Sequence, residues 1–246
     1  MEYTNIIAVK NGETEIIYFN REDKLNTITI DMVNEIRAKM EEVKSTVKAV
    51  VIGGKKNFSA GADINQFKGI TPMEAYDFHV KLNELAQFFR NYEYPVISFL
   101  NGYVLGGGLE LSLSTDIRIC SNDALLGQPE INLGINAGAG GNVVLPRVIG
   151  RNRALYMILT GEKINAHRAY EYGLVDIIAN DPEGEAIRIA KIIEKMPAMT
   201  LKLAKKAVNR SFESNFNLSM DYEATIFGLL FSTDDTKDKI EKFFKK

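Results

Sequence analysis

The chain is poor in cysteine, in histidine and in net charge. One cysteine among 246 residues, Cys120, rules out an intramolecular disulfide framework. It lies in the apolar run Ile117-Arg118-Ile119-Cys120, which reads as a buried, inert thiol. Low cysteine usage fits a reducing compartment. The two histidines, His79 and His167, fall in helical patterns without metal-ligand spacing. Both read as solvated or core residues, and no metal centre is expected. A net charge of −2 gives no global field to draw nucleic acid or an anionic membrane. No apolar stretch reaches the ~18 residues that would suggest a membrane span. Met1-Glu2-Tyr3-Thr4-Asn5 carries no basic region followed by a long apolar run, so no signal peptide is evident. A cytoplasmic protein is the expectation. What remains, 46% hydrophobic and 25% charged, is an ordinary soluble globular chain. Its length suits one large domain or two small ones.

Short β-branched runs at residues 14–19 and 48–53 predict strands. Between them, residues 31–40 carry apolar side chains at helical spacing. Thr71-Pro72-Met73-Glu74 predicts a helix start: Thr71 as N-cap, Pro72 in the first turn, Glu74 closing a capping box. That helix should run to about Asn91. Residues 95–100 predict another strand, feeding a glycine cluster, and residues 116–121 one more. The alternation argues for an α/β fold. After about residue 138 the pattern turns helical. Residues 151–160 end at Gly161, and residues 165–172 at Gly173, natural helix stops. Further helices are predicted over 183–196, 200–213, 218–231 and 235–244. The expected division is a core over residues 1–190 and a helical C-terminal region over 191–246.

The chemistry concentrates around glycine. Gly106-Gly107-Gly108 follows a strand and opens an apolar helix, Leu109-Glu110-Leu111-Ser112-Leu113-Ser114. Free N–H groups at a helix start favour developing negative charge; a tight packing turn would need the same glycines. No Gly-Lys-Ser/Thr follows, so this is not a phosphate-binding P-loop, and Gly138-Ala139-Gly140-Gly141 lacks the dinucleotide spacing. Glu110 lies in the first turn of that helix. It is either a dipole-stabilised surface carboxylate or, among three leucines, a buried one with a raised pKa. Glu130 follows Pro129 in a loop, twenty residues on. It is either a salt-bridge partner or a functional loop residue. Two carboxylates beside such turns suggest acid/base chemistry on a polarised carbonyl.

Together these segments resemble the enoyl-CoA hydratase/isomerase (crotonase) family. The resemblance covers nearly the whole chain. It rests on Phe58-Ser59-Ala60-Gly61-Ala62-Asp63, Gly106 to Leu111, Gly127-Gln128-Pro129-Glu130, Leu159 to Ile164 leading to Gly173-Leu174-Val175, and Phe231-Ser232-Thr233-Asp234-Asp235. It implies a crotonase-like spiral of repeated ββα units with a helical C-terminal trimerisation region, forming trimers or dimers of trimers. It implies an acyl-CoA thioester substrate and no cofactor beyond that coenzyme A. The thioester oxygen would sit between the backbone N–H groups of Ala60 and Gly107. Coenzyme A would pass Lys24, Leu25, Asn26, Ala60, Ala62, Asp63 and Ile64, with Phe231 and Lys246 closing over it.

Within the family, the resemblance makes two glutamates at the positions of Glu110 and Glu130 the mark of a hydratase. Isomerases, decarboxylases and dehalogenases typically alter or lose one. The implied reaction is reversible addition of water to a trans-2-enoyl-CoA, with Gly138 helping to hold the water. Short-chain enoyl-CoA hydratases and 3-hydroxypropionyl-CoA dehydratases are the nearest in pattern. The chain departs at Asn136-Ala137-Gly138, where many hydratases have Ile-Pro-Gly. It departs again at Asn142-Val143-Val144-Leu145 in place of Thr-Gln-Arg-Leu, and at Asn20-Arg21-Glu22 in place of Asn-Arg-Pro. These changes bear on acyl preference, not on reaction class. Double-bond isomerisation is the nearest rival and leaves one glutamate without a task. A non-catalytic acyl-CoA or RNA-binding module is a rival of another class. Lys202, Lys205, Lys206 and Arg210 lie near one predicted helix face, which reads as solvated.

Overall fold

The computed structural model describes residues 3–245. The chain opens with strands β1 (Ile6–Asn11) and β2 (Thr14–Phe19), then helix α1 (Ile30–Val43), β3 (Ala49–Gly53), α2 (Pro72–Asn91) and β4 (Val96–Leu100). Next come β5 (Tyr103–Leu105), α3 (Gly107–Ser112), β6 (Ile117–Ser121) and β7 (Leu125–Gly127). The helical half follows: α4 (Leu145–Ile149), α5 (Arg151–Thr160), then β8 (Lys163–Asn165), α6 (Ala166–Glu171) and β9 (Ile177–Ala179). It ends with α7 (Pro182–Glu194), α8 (Ala198–Ser211), α9 (Phe216–Leu230) and α10 (Asp234–Phe244).

Two sheets result. The larger has the order β1-β2-β3-β4-β6-β9 and the smaller β5-β7-β8. β1 and β2 pair antiparallel; the rest of the large sheet is parallel. Each pass of the chain sends one strand into each sheet, β4 then β5, β6 then β7. This is the spiral that the resemblance implied. All of β3 and β4 is buried, as parallel strands covered on both faces must be.

Helices cover both faces. α1 turns Met32, Val33, Ile36, Met40 and Val43 inward, and α2 turns Phe78, Leu82, Leu85 and Phe89. Both follow the 3.6-residue period. Thr71 starts α2 through the expected capping box. Its Oγ1 accepts from the Glu74 N–H at 3.3 Å, and its own N–H donates to Glu74 Oε2 at 2.8 Å. α7 lays Ala186 and Ala190 on the other face, against Val51, Ile97, Phe99 and Ile119. The expected boundary between residues 190 and 191 therefore falls inside α7, a helix that belongs to the core.

Several strands escaped the pattern. β1 was not anticipated, and β8 and β9 lie in a stretch expected to be helical. α8 is also more deeply tied in than a solvated basic face would be. Lys205 is turned inward, its side chain 8% exposed, donating to Asp116 Oδ2 at 2.6 Å and to the Phe89 and Tyr94 carbonyls. By contrast, α9 buries only Ile226 and leaves Phe216, Phe227, Phe231, Phe243 and Phe244 on α9, α10 and their flanks exposed. Among the described residues no helix is long and apolar enough to cross a membrane.

Candidate active site

The loop after β3 brings residues 58–63 beside the N-terminus of α3. Over residues 60–63, three of the four backbone donors are engaged. The Ala60 N–H donates to the Leu25 carbonyl at 3.0 Å, Gly61 to Ser59 Oγ at 3.1 Å, and Asp63 to the Ile28 carbonyl at 3.0 Å. Among the described residues the Ala62 N–H has no acceptor. The expected assignment of Ala60 as an oxyanion donor is therefore corrected: its N–H is spent on Leu25, and the free donor lies two residues on. Gly107 is the first residue of α3, where no intrahelical acceptor exists. Its N–H also finds none among the described residues, although Gly106 N–H donates to Gly127 at 2.9 Å. The two free amides are close, since a Cβ built on Gly107 would lie 3.5 Å from the Ala62 nitrogen.

Glu110 is 1% exposed. Its Oε1 accepts from the Ala139 and Gly141 N–H groups, both at 2.8 Å. Burial pushes its pKa up, and the amides of Gly141, Ala139 and Gly138 oppose that shift. Gly138, expected to help hold the water, is not among the residues lining the cavity around the two carboxylates; an added Cβ there would meet the His79 ring. Glu130 sits on a short 3-10 turn, Pro129–Leu133. Its Oε1 accepts from Gln128 Nε2 at 2.9 Å, while its Oε2 is buried with no partner among the described residues. Burial, then the nearby Glu110 charge, raises its pKa to about 7. Both carboxylates, Ala62 and Gly107 line one small cavity of about 70 Å³.

The expected coenzyme A residues divide. Ala60, Ala62 and Ile64 line this cavity, and Ile64 is exposed at its mouth. Lys24 and Leu25 are exposed on the adjoining turn. Asn26 is fully buried instead: its Oδ1 accepts from the Arg21 N–H and its Nδ2 donates to the Asn57 carbonyl. Its side chain builds the turn and is not available to a ligand. Asp63 is held by Arg21 at 3.0 Å, an ion pair that welds the first loop to the second; against the effect of burial, hydrogen bonds from Asn65 and then Arg21 hold the Asp63 carboxyl below the usual range. Phe231 packs edge-on to Phe227 and is not among the cavity residues. Lys246 lies outside the described residues.

His79, expected to be a solvated or core residue, lines the same cavity, and the Ala139 and Gly141 amides that hold Glu110 carry no signal in the sequence. Their roles depend on the loop 134–144 folding back over α3, which no local motif announces.

The enoyl-CoA hydratase/isomerase family model matches residues 10–246. The chain is 36% identical to the short-chain-enoyl-CoA hydratase of Clostridium acetobutylicum, over 100% of this chain and 97% of that protein. It is 35% identical to the crotonyl-CoA hydratase of Syntrophomonas wolfei over the same shares. The crystal structure of an enoyl-CoA hydratase from Thermoplasma volcanium superposes with a TM-score of 0.93 at 42% identity, covering 97% of each chain.

Proposed function

The chain belongs to the enoyl-CoA hydratase/isomerase family, and from that premise we propose how it works as an enoyl-CoA hydratase: Glu110 and Glu130 act on one water while Ala62 and Gly107 hold the thioester oxygen. The observation that carries this reading is the shared cavity, where the buried Glu110 and the half-buried Glu130 stand beside two N–H groups without an acceptor among the described residues. Donors fixed before the reaction stabilise enolate charge without reorganisation, and one such donor contributes about 3–4 kcal/mol.

The environments of the glutamates differ, and this suggests their roles. Two amide N–H groups support a negative charge on Glu110. Glu130 has one neutral amide donor and an unpartnered oxygen, so this reading places the pair's proton there. In hydration, Glu110 takes a proton from water as its oxygen bonds to C3. The C2–C3 π pair moves toward the thioester, and C2 takes the proton from Glu130. Passage of the proton from Glu110 back to Glu130 restores the pair, so the net change is addition of one water. Dehydration runs the same steps backward. An isomerase would need only one of these carboxylates.

Coenzyme A is part of the substrate, entering past Lys24, Leu25 and Ala60. Three copies, or two sets of three, would cover the apolar faces of α9 and α10, with Phe231 placed at such an interface.

The test is loss of the conjugated-thioester absorbance of crotonyl-CoA. Glu110→Gln and Glu130→Gln should each lower kcat by ~10²–10⁴ while still binding acyl-CoA. The double variant should be little worse than the poorer single one, because residues acting as a unit give non-additive losses. One variant near wild-type kcat would sink the shared-water mechanism and favour a single-carboxylate reaction.

A further inference from the structure

His79 stands between two cavities. The inner one holds the glutamates and measures about 70 Å³. The outer one measures about 420 Å³. Ile64, Phe67, His79, Leu133 and Ile135 line both, and Lys68, Ile70 and Ala75 complete the outer one. With Lys68 its only charged residue, the outer cavity suits hydrocarbon rather than a phosphate-bearing arm.

The imidazole is clamped in place. On one side lies Gly138, where an added Cβ would come within 2.2 Å of His79 Nδ1 and 2.6 Å of its Cγ and Cε1. On the other, Phe78 packs edge-on at 5.6 Å and Phe67 lies at 6.3 Å. Burial lowers the His79 pKa, so the ring presents an uncharged face. Its Nδ1 is buried with no partner among the described residues. The same helix reaches the oxyanion site: Leu82, three residues on, would meet a Cβ on Gly107 at 3.2 Å. The wall and the donor are therefore registered to one another through α2.

This geometry limits the acyl group. The inner cavity has about one sixth the volume of the outer one, so a long acyl chain cannot be housed in it alone. In the hydratase reading the coenzyme arm takes the Leu25 and Ala60 side, so a longer acyl chain leaves toward the shared wall. We propose that His79 is the residue that sets acyl-chain length: seated on Gly138, its ring separates the catalytic cavity from the outer apolar cavity and confines the enzyme to short enoyl groups such as crotonyl.

This rests on the hydratase reading, and the experiment keeps the two apart. Wild type, His79→Ala and His79→Phe are assayed with crotonyl-CoA and trans-2-decenoyl-CoA, with folding checked by circular dichroism. Wild type should favour crotonyl-CoA in kcat/KM. His79→Ala should raise the decenoyl-to-crotonyl ratio by ~10-fold or more, the scale on which an apolar pocket discriminates chain length. His79→Phe, which keeps a ring at the wall, should keep the wild-type preference. Should the alanine variant not fold, His79→Asn, also smaller than histidine, should move the ratio the same way. A folded alanine or asparagine variant with the wild-type ratio would overturn the proposal, as would a wild type that prefers decenoyl-CoA. Hydration of neither ester by wild type would instead overturn the hydratase reading itself.

Discussion

Gly106 leaves room for the carboxylate of Glu130: a Cβ on Gly106 would lie 2.8 Å from Glu130 Oε1. The backbone adds a second reason for glycine, since Gly106 has φ +52 and ψ −125, a region closed to other residues at ordinary cost. Gly106→Ala should therefore act twice. It should destabilise the fold by about 1–3 kcal/mol through backbone strain. It should also displace the Glu130 carboxylate, which in the proposed mechanism acts with Glu110 on one water, and lower kcat by ~10², the scale of a misplacement of about 1 Å. Urea unfolding and crotonyl-CoA kinetics measure the two effects separately. A variant destabilised but with unchanged kcat would show that Glu130 tolerates displacement.

The raised pKa of Glu130 predicts a pH dependence of defined sign. A carboxyl with a pKa of about 7 in the folded protein and its ordinary value of 4.5 when unfolded binds more protons folded than unfolded between those limits. Its contribution to stability is full below about pH 4.5 and is lost as pH rises through about 7. Glu130→Gln should remove that loss, raising Tm at pH 8 relative to wild type more than at pH 5. Activity should follow the same titration. If Glu130 delivers the proton to C2, kcat/KM for hydration falls as pH rises through about 7. A stopped-flow profile that stays flat to pH 9 would count against this assignment.

The Gly107 amide can be removed with little harm to the helix. Gly107 is the first residue of α3, where proline is accommodated because its missing N–H had no helical acceptor. Gly107→Pro should lower kcat by ~10²–10³. Leu82 must shift slightly to admit the ring, so circular dichroism accompanies the assay. A folded variant with wild-type kcat would exclude this donor.

Local signals were readable and distant ones were not. Thr71, Gly161 and Gly173 mark helix ends because a cap or a left-handed residue acts on its own neighbours. β5, β7, β8 and β9 span three residues each, too few for any period to register. Residue types left each glutamate open between a structural and a functional reading, and the resemblance singled out the pair; which alanine carries the free amide was not legible. That depends on Leu25 and Ile28, which accept from Ala60 and Asp63 on either side of it. His79 fared likewise: its role depends on Gly138 lying over its ring, a contact between segments with no shared motif.

Lys205 shows the same limit and yields the last prediction. On α8 it looks like one more surface lysine, yet its ammonium is buried against Asp116, which follows β4 in the large sheet only through a chain excursion. Besides Lys205, the Asp116 carboxylate accepts from the Val96 N–H at 2.7 Å, and burial already pushes its pKa up. Lys205→Met would fill similar volume but strand that carboxylate. Removing one partner of a buried pair typically costs ~3–5 kcal/mol, and the low end applies here because Asp116 retains some exposure. The loss should shrink on acidification, since protonating Asp116 removes the unpaired charge. Adding Asp116→Asn should recover part of it, because the amide oxygen can still accept from Val96, so the two changes should be non-additive. Urea unfolding of the four proteins at pH 5 and pH 8 measures this cycle. Additive losses at both pH values would mean that Lys205 holds α8 through the Phe89 and Tyr94 carbonyls alone.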